Sequence, residues 1–180
     1  MGQRPNWVQG PVLALLFALG ALSTAAQGAA RPHPLSTFAF KDWEVLAPSG
    51  WADRSESEDT TYLESGDHSK GLYCTVLSVR HFTSETYDDV IQKMQAAGAL
   101  GRGSMAGFQW KKLAEHRSQV GDQCRYEDDY CDQVHKYRIR TIVLITPRRV
   151  LRAAFHDYYF IDLKESNAAF RPLLTSLRFR

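Results

Sequence analysis

The sequence has no long apolar run after residue 22, and its charges are close to balanced. A transmembrane helix needs about 20 consecutive apolar residues, so the chain beyond this point is not expected to cross a membrane. The 180 residues carry 22 Lys and Arg against 20 Asp and Glu. A balance this even argues against nucleic acid or another polyanion as the partner.

The usual signatures of catalysis are also missing. The sequence contains no Gly-x-Ser-x-Gly, His-Glu-x-x-His or Cys-x-x-Cys pattern, and its histidines are scattered singly. The glycine-rich residues 98–107 lack the terminal Gly-Lys-Ser/Thr of a phosphate-binding loop, so a connector is predicted there. We therefore expect a protein without enzymatic activity, cofactor or bound metal.

The N-terminus, in contrast, has the pattern of a secretory signal peptide. Arg4 supplies the positive charge, residues 12–22 form an apolar core, and small residues follow. The core has about half the length of a membrane anchor, which is the alternative interpretation. We predict cleavage between Ala26 and Ala30, so that residues 1–30 are removed. Residues 31–180 then form a single periplasmic domain that is not inserted in the membrane.

The mature sequence is typical of an antiparallel sheet with two amphipathic helices. One helix is predicted over residues 84–97 with Thr83 or Ser84 as its cap, and the last over residues 162–177 with Asp162 or Asn167 as its cap. Residues 108–160 read as a meander of strands joined by short turns. Because residues 142–145 are all apolar, both faces of their strand should be covered. The fold class is therefore α+β, with about six antiparallel strands flanked by helices on both faces.

This order of elements resembles the PsbP-like α-β-α sandwich family. The resemblance covers residues 37–180 and is carried by the Pro-x-Gly-Trp turn at Pro48, Gly50 and Trp51 and by the closing Ser-Leu-Arg-Phe of residues 176–179. The family includes a photosystem extrinsic subunit, a Ran-binding import factor and small exported bacterial proteins. It implies a protein that binds other proteins or assists assembly, and it implies no catalytic residue.

The most distinctive stretch is CRYEDDYCDQVH, residues 124–135. The order of its potential ligands fits neither a calcium loop nor a paired-cysteine zinc site. In an exported protein a disulfide is the better prediction. If the chain reverses near Asp128, Cys124 meets Cys131 across a hairpin, which is the pairing we favour. If it reverses at residues 131–133, Cys124 lies within a strand and can meet Cys74.

Between Cys124 and Cys131, three successive carboxylates are flanked by tyrosines. One interpretation is a solvated turn. The other is a recognition loop, because tyrosines offer a large contact area and carboxylates attract a basic partner. The predicted partner-binding residues are Tyr126, Glu127, Asp128, Asp129 and Tyr130.

This loop favours an exported, non-enzymatic protein-binding module. The specific hypothesis is an inhibitor or immunity protein that fills the basic cleft of a periplasm-acting toxin, such as a type VI secretion effector. The alternative is an envelope accessory or small-ligand-binding protein. A ligand-binding protein would need a concave pocket between sheet and helix.

Overall fold

A computed structural model describes residues 34–57, 60–78 and 86–180. These residues form ten strands and two helices, arranged as one sheet of seven strands and one of three. Within this part of the chain, no helix is long and apolar enough to cross a bilayer. The predicted signal peptide, residues 1–30, lies outside the described residues.

The large sheet is antiparallel throughout, because short turns connect most neighbouring strands. At the tip of one hairpin, Gly121 has a φ of +57°, a conformation that glycine adopts easily. In spatial order the strands are β3 (Ala52–Asp53), β4 (Thr60–Glu64), β5 (Lys70–Ser78), β9 (Arg149–Asp157), β8 (Tyr137–Ile145), β7 (Gln123–Asp132) and β6 (Lys111–Val120). The small sheet contains β1 (Leu35–Ala39), β2 (Trp43–Pro48) and β10 (Arg178–Phe179).

The two helices pack against opposite faces of the large sheet. Alternate residues of a strand point to opposite faces, and β8 is apolar on both. Its Ile142 and Leu144 join the core formed with helix α2 (Leu163–Ser176), whereas Val143 and Ile145 join the core formed with helix α1 (Tyr87–Gly103). We call these surfaces the α2 face and the α1 face. Each such buried side chain contributes about 1.5–3 kcal/mol to folding.

The predicted elements match the structure with two differences in extent. The strand count of about six matches only roughly, because two-residue strands such as β3 and β10 are too short to show a pattern in the sequence. Helix α1 was expected to stop at residue 97 but continues through Gly98 and Gly101 to Gly103. It begins after Thr86, whose hydroxyl accepts from the Asp89 N–H, whereas Thr83 and Ser84 lie outside the described residues. Helix α2 begins after Asp162, as predicted.

Both predicted disulfide pairings are wrong in this structure, in which all three cysteines are buried thiols. The chain does not reverse near Asp128. Cys124 and Cys131 lie near opposite ends of the single strand β7, about 23 Å apart at the rise of a strand, whereas bonded cysteines have Cα atoms within about 7 Å. Cys74 lies on the α2 face and Cys124 on the α1 face, with β8 and β9 between their strands.

Buried ion pairs hold β7 and β8 together on the α2 face. Arg138 is 1% exposed, and its Nε and Nη2 donate to the two carboxylate oxygens of Asp129 at 2.9 and 2.6 Å. Its Nη2 also donates to Asn167 Oδ1 of α2 at 2.8 Å. Next to this pair, Glu127 accepts from both Arg125 and Arg140 at 2.6 Å. Two of the three adjacent carboxylates, Glu127 and Asp129, therefore meet their counter-charges inside the fold.

We expect Arg138→Met to destabilise the mature chain by about 3–5 kcal/mol, because it leaves the Asp129 carboxylate buried and unpaired. Urea unfolding measures this difference. The matched control is Arg178→Met, which removes an ion pair with Glu44 from a side chain that is 72% exposed. It should cost less than about 1 kcal/mol. Equal losses in the two variants would contradict the assigned role of the buried pair.

We also expect all three cysteines to be free thiols that are unreactive in the folded state. Burial of the Cys74 thiol raises its pKa well above the ordinary value, which disfavours the reactive thiolate. Intact-mass measurement after iodoacetamide treatment, without reductant, should show no modification of the native chain and three modifications after unfolding in urea. A single modification after unfolding would demonstrate a disulfide and contradict the structure.

Candidate functional site

A pocket of about 330 Å³ lies between the α1 face of the large sheet and the C-terminal half of α1. We call it the α1–sheet pocket. Its sheet side includes Tyr73 of β5, Tyr137 of β8, and Arg152 and His156 of β9. Its volume is at the lower end of the range that small-molecule sites occupy, about 300–1,000 Å³.

The pocket exists because small residues face each other across the sheet–helix interface. On the sheet, Ala154 pairs with Tyr73 on one side and Thr141 on the other, so a short side chain occupies the centre of the row. On the helix, Gly98 and Gly101 line the opposite side. A Cβ atom added to Gly101 would meet no atom within 4 Å. Neither the sheet nor the helix therefore has a side chain large enough at these positions to fill the space.

Aromatic rings form one side of the pocket. Tyr73 meets His156 edge to face with ring centroids 5.1 Å apart, and it stacks on Tyr62 at 4.2 Å. Tyr137 lies 5.9 Å from His156, and its hydroxyl is 2.5 Å from His156 Nδ1. Such rings give flat contact surfaces with polar groups at their edges.

His156 and Tyr137 are both neutral at pH 7. Burial lowers the pKa of His156 to about 4, with a further contribution from the Arg152 charge. Burial raises the pKa of Tyr137 to about 12. A protonated phenol can donate to His156 Nδ1, which leaves the imidazole hydrogen on Nε2 as a donor. The positive charge of the pocket therefore comes from arginine.

Two arginines of the pocket carry unsatisfied donors. Arg152 Nε and Arg102 Nη1 are buried and have no hydrogen-bond partner among the described residues. The Arg102 guanidinium lies 3.6 Å above the ring of Tyr130, a cation–π contact that holds it under the helix. Unpaired buried donors are costly, so these two groups are candidates to donate a hydrogen bond to a bound group.

The predicted recognition loop is wrong, because its five residues lie in strand β7 between β6 and β8. Tyr126, Asp128 and Asp129 are only 3–5% exposed. Glu127 and Asp129 point toward the α2 face and bind arginines there, and they offer no free carboxylate to a partner. Tyr126, Asp128 and Tyr130 point toward the α1 face by strand alternation.

The α1-face residues of this stretch contact helix α1 and the pocket arginines. Tyr126 Oη accepts from Gln95 Nε2 of α1 at 2.7 Å and lies 3.1 Å from Glu115 Oε1. Asp128 Oδ1 is buried without a partner among the described residues, and burial raises the pKa of this carboxyl, although Arg102 and Arg152 oppose the shift. Of the predicted partner-binding residues, Asp128 and Tyr130 are the two near the pocket arginines.

The sequence analysis missed the residues that line the pocket. Arg152, Ala154 and His156 lie on one face of β9, and the two polar side chains among them, within a mostly apolar strand, were the available signal. The glycines of α1 were instead assigned to a connector. Among the described residues, no group of three His, Cys, Asp or Glu is close enough to hold a metal.

Comparisons with known proteins establish the fold. No protein-family model matches the chain, and no curated protein matches it significantly. Cyanobacterial PsbP (CyanoP) from Synechocystis sp. PCC 6803 superposes with a TM-score of 0.62 at 14% identity, covering 89% of this chain and 100% of that one. The Saccharomyces cerevisiae Ran-binding protein Mog1p gives 0.54 at 10% identity, covering 81% and 95%. The chain therefore has the PsbP-like fold that the sequence resemblance predicted.

Proposed function

We propose that this chain is an exported, non-enzymatic binding module whose ligand lies in the α1–sheet pocket. The observation that carries the proposal is a preformed cavity with aromatic walls and buried donors that no described residue satisfies. Few, convergent polar groups in an otherwise apolar concavity are typical of small-molecule sites. The signal-peptide pattern of residues 1–30 supports export to the periplasm.

The comparisons are consistent with a binding role. Mog1p, which shares the fold, is a Ran-binding protein. A fold hosts many functions, however, so the site and not the neighbour identifies the ligand. The residues of the pocket do not reproduce any catalytic arrangement that we recognise, because His156 is neutral and is paired with a phenol and not with a nucleophile or carboxylate.

A toxin inhibitor would be a narrower form of this binding role. That hypothesis depended on an acidic recognition loop, and Glu127 and Asp129 are instead bound to arginines within the sheet. No contact of the described residues favours a toxin partner. The ligand-binding alternative is supported by the pocket, and it is the function that we propose.

The test uses N-phenyl-1-naphthylamine, a neutral fluorescent aromatic probe, with the mature chain from residue 31. We expect saturable binding to the wild type. Gly101→Phe should weaken binding about tenfold or more, because Gly101 lines the pocket, a Cβ there meets no atom within 4 Å, and the added ring would compete with the probe for the space. Fluorescence titration measures the dissociation constant.

Gly103→Phe is the matched control. Gly103 lies in the same helix and also has open space around it, but it does not line the pocket. This variant should bind the probe as the wild type does. Probe binding that is absent in the wild type, or equal in the two variants, would overturn the proposed site.

A further inference from the structure

The arginines on the two faces of the sheet differ in whether they form ion pairs. On the α2 face, Arg125, Arg138 and Arg140 each form an ion pair with a carboxylate of β7. On the α1 face, Arg102 and Arg152 form no ion pair with any described residue within 4 Å. Two guanidinium groups therefore border one pocket without a bound counter-ion.

The nearest carboxylate does not neutralise this charge. Asp128 feels the charges of Arg102 and Arg152 but hydrogen-bonds to Thr141, and its Oδ1 is unpaired among the described residues. Its pKa is raised by burial, so the carboxyl group is a weaker counter-ion than an exposed aspartate. Even when Asp128 is ionised, the two arginines leave a net positive charge at the pocket.

Arg138 shows a guanidinium of this sheet that holds a carboxylate, although its Nη1 has no partner among the described residues. Its Nε and Nη2 hold both oxygens of one carboxylate in a two-pronged contact. Arg152 has its Nε buried and free, and Arg152 lines the pocket. The planar edge of a guanidinium matches carboxylate, phosphate and sulfonate groups. Because no described carboxylate binds the Arg152 guanidinium, this side chain of the pocket wall is suited to an anionic group of a ligand.

The other walls define the body of such a ligand. Tyr73 is 36% exposed and lies at the open side, where its ring and that of His156 offer flat apolar contact. His156 is neutral and adds no positive charge, so the charge contact with an anion falls to the arginines. A cavity of about 330 Å³ suits a small ligand of a few aromatic rings.

We propose that the α1–sheet pocket binds a small aromatic organic anion, with its carboxylate, phosphate or sulfonate group on Arg152 and Arg102 and its ring against Tyr73 and His156. This inference rests on the proposed function and adds the chemical class of the ligand. The main anion contact is assigned to Arg152, because Arg152 extends from β9, the central strand of the large sheet.

Two probes with the same ring system test the inference. The compound 8-anilinonaphthalene-1-sulfonate carries an anionic sulfonate, and N-phenyl-1-naphthylamine lacks it. We expect the wild-type mature chain to bind the sulfonate at least about tenfold more tightly, the size of a charge-assisted contact. In Arg152→Met this preference should disappear, through weaker sulfonate binding with unchanged binding of the neutral probe.

Arg148→Met is the matched control, since Arg148 lies in the exposed turn between β8 and β9 and loses the same charge away from the pocket. It should keep the preference for the sulfonate. Thermal unfolding and near-ultraviolet circular dichroism verify that each variant is folded. If Arg152→Met does not fold, Arg102→Met on α1 provides the second test, with the same loss of preference expected.

The outcomes separate this inference from the proposed function. If the two probes bind the wild type equally, or if Arg152→Met and Arg102→Met leave the preference intact, the anionic ligand class is overturned while the pocket remains a binding site. If neither probe binds the wild type, the proposed function itself fails. Sulfonate binding that Gly101→Phe does not weaken would also overturn the assignment, because the anion would then bind elsewhere.

Discussion

The pairing of β5 with β9 is the interaction on which the architecture depends. It joins the early hairpin of β4 and β5 to the later meander of β6 to β9 through nine paired positions, from Lys70 opposite Asp157 to Ser78 opposite Arg149. The two residues at one end form a buried ion pair at 3.0 Å. Without this pairing the large sheet would separate into two parts. The α1–sheet pocket spans the same junction, since its lining comes from β5 on one side and from β9 and β8 on the other.

The two faces of the sheet show how stability and binding are divided. The α2 face carries the larger apolar core, and each of its arginines in β7 and β8 forms an ion pair with a carboxylate. Removing one partner of such a pair would destabilise the fold. The α1 face has a smaller core near Val90 and Ile91, and its Arg102 and Arg152 have unpaired donors and no carboxylate partner among the described residues. Such local exceptions to complete satisfaction are expected at functional sites, where the remaining fold compensates for their cost.

The sequence predicted what local patterns determine. Alternating and continuous apolar runs located β4 to β9, the capping residue Asp162 located α2, and their order indicated the PsbP-like fold. The predictions from the sequence failed where the residues that contact each other are distant in the chain. Three adjacent carboxylates resembled a solvated turn, yet Arg138 and Arg140 on the neighbouring strand make Glu127 and Asp129 suitable for a strand interior. The pocket was missed for the same reason, because Arg152 and Gly101 meet only after α1 has packed on the sheet.

The two glycines in the roof of the pocket have a consequence for how a ligand enters. The fully buried residues of α1, Val90 and Ile91, lie in its N-terminal half, whereas Gly98 and Gly101 lie in the half that covers the pocket. Each glycine destabilises a helix by about 1 kcal/mol relative to alanine. This half of α1 is therefore held by few apolar contacts, and segments of that kind open locally at much lower free energy than the core. Fraying of the helix end would let a ligand exchange while the sheet beneath it stays intact.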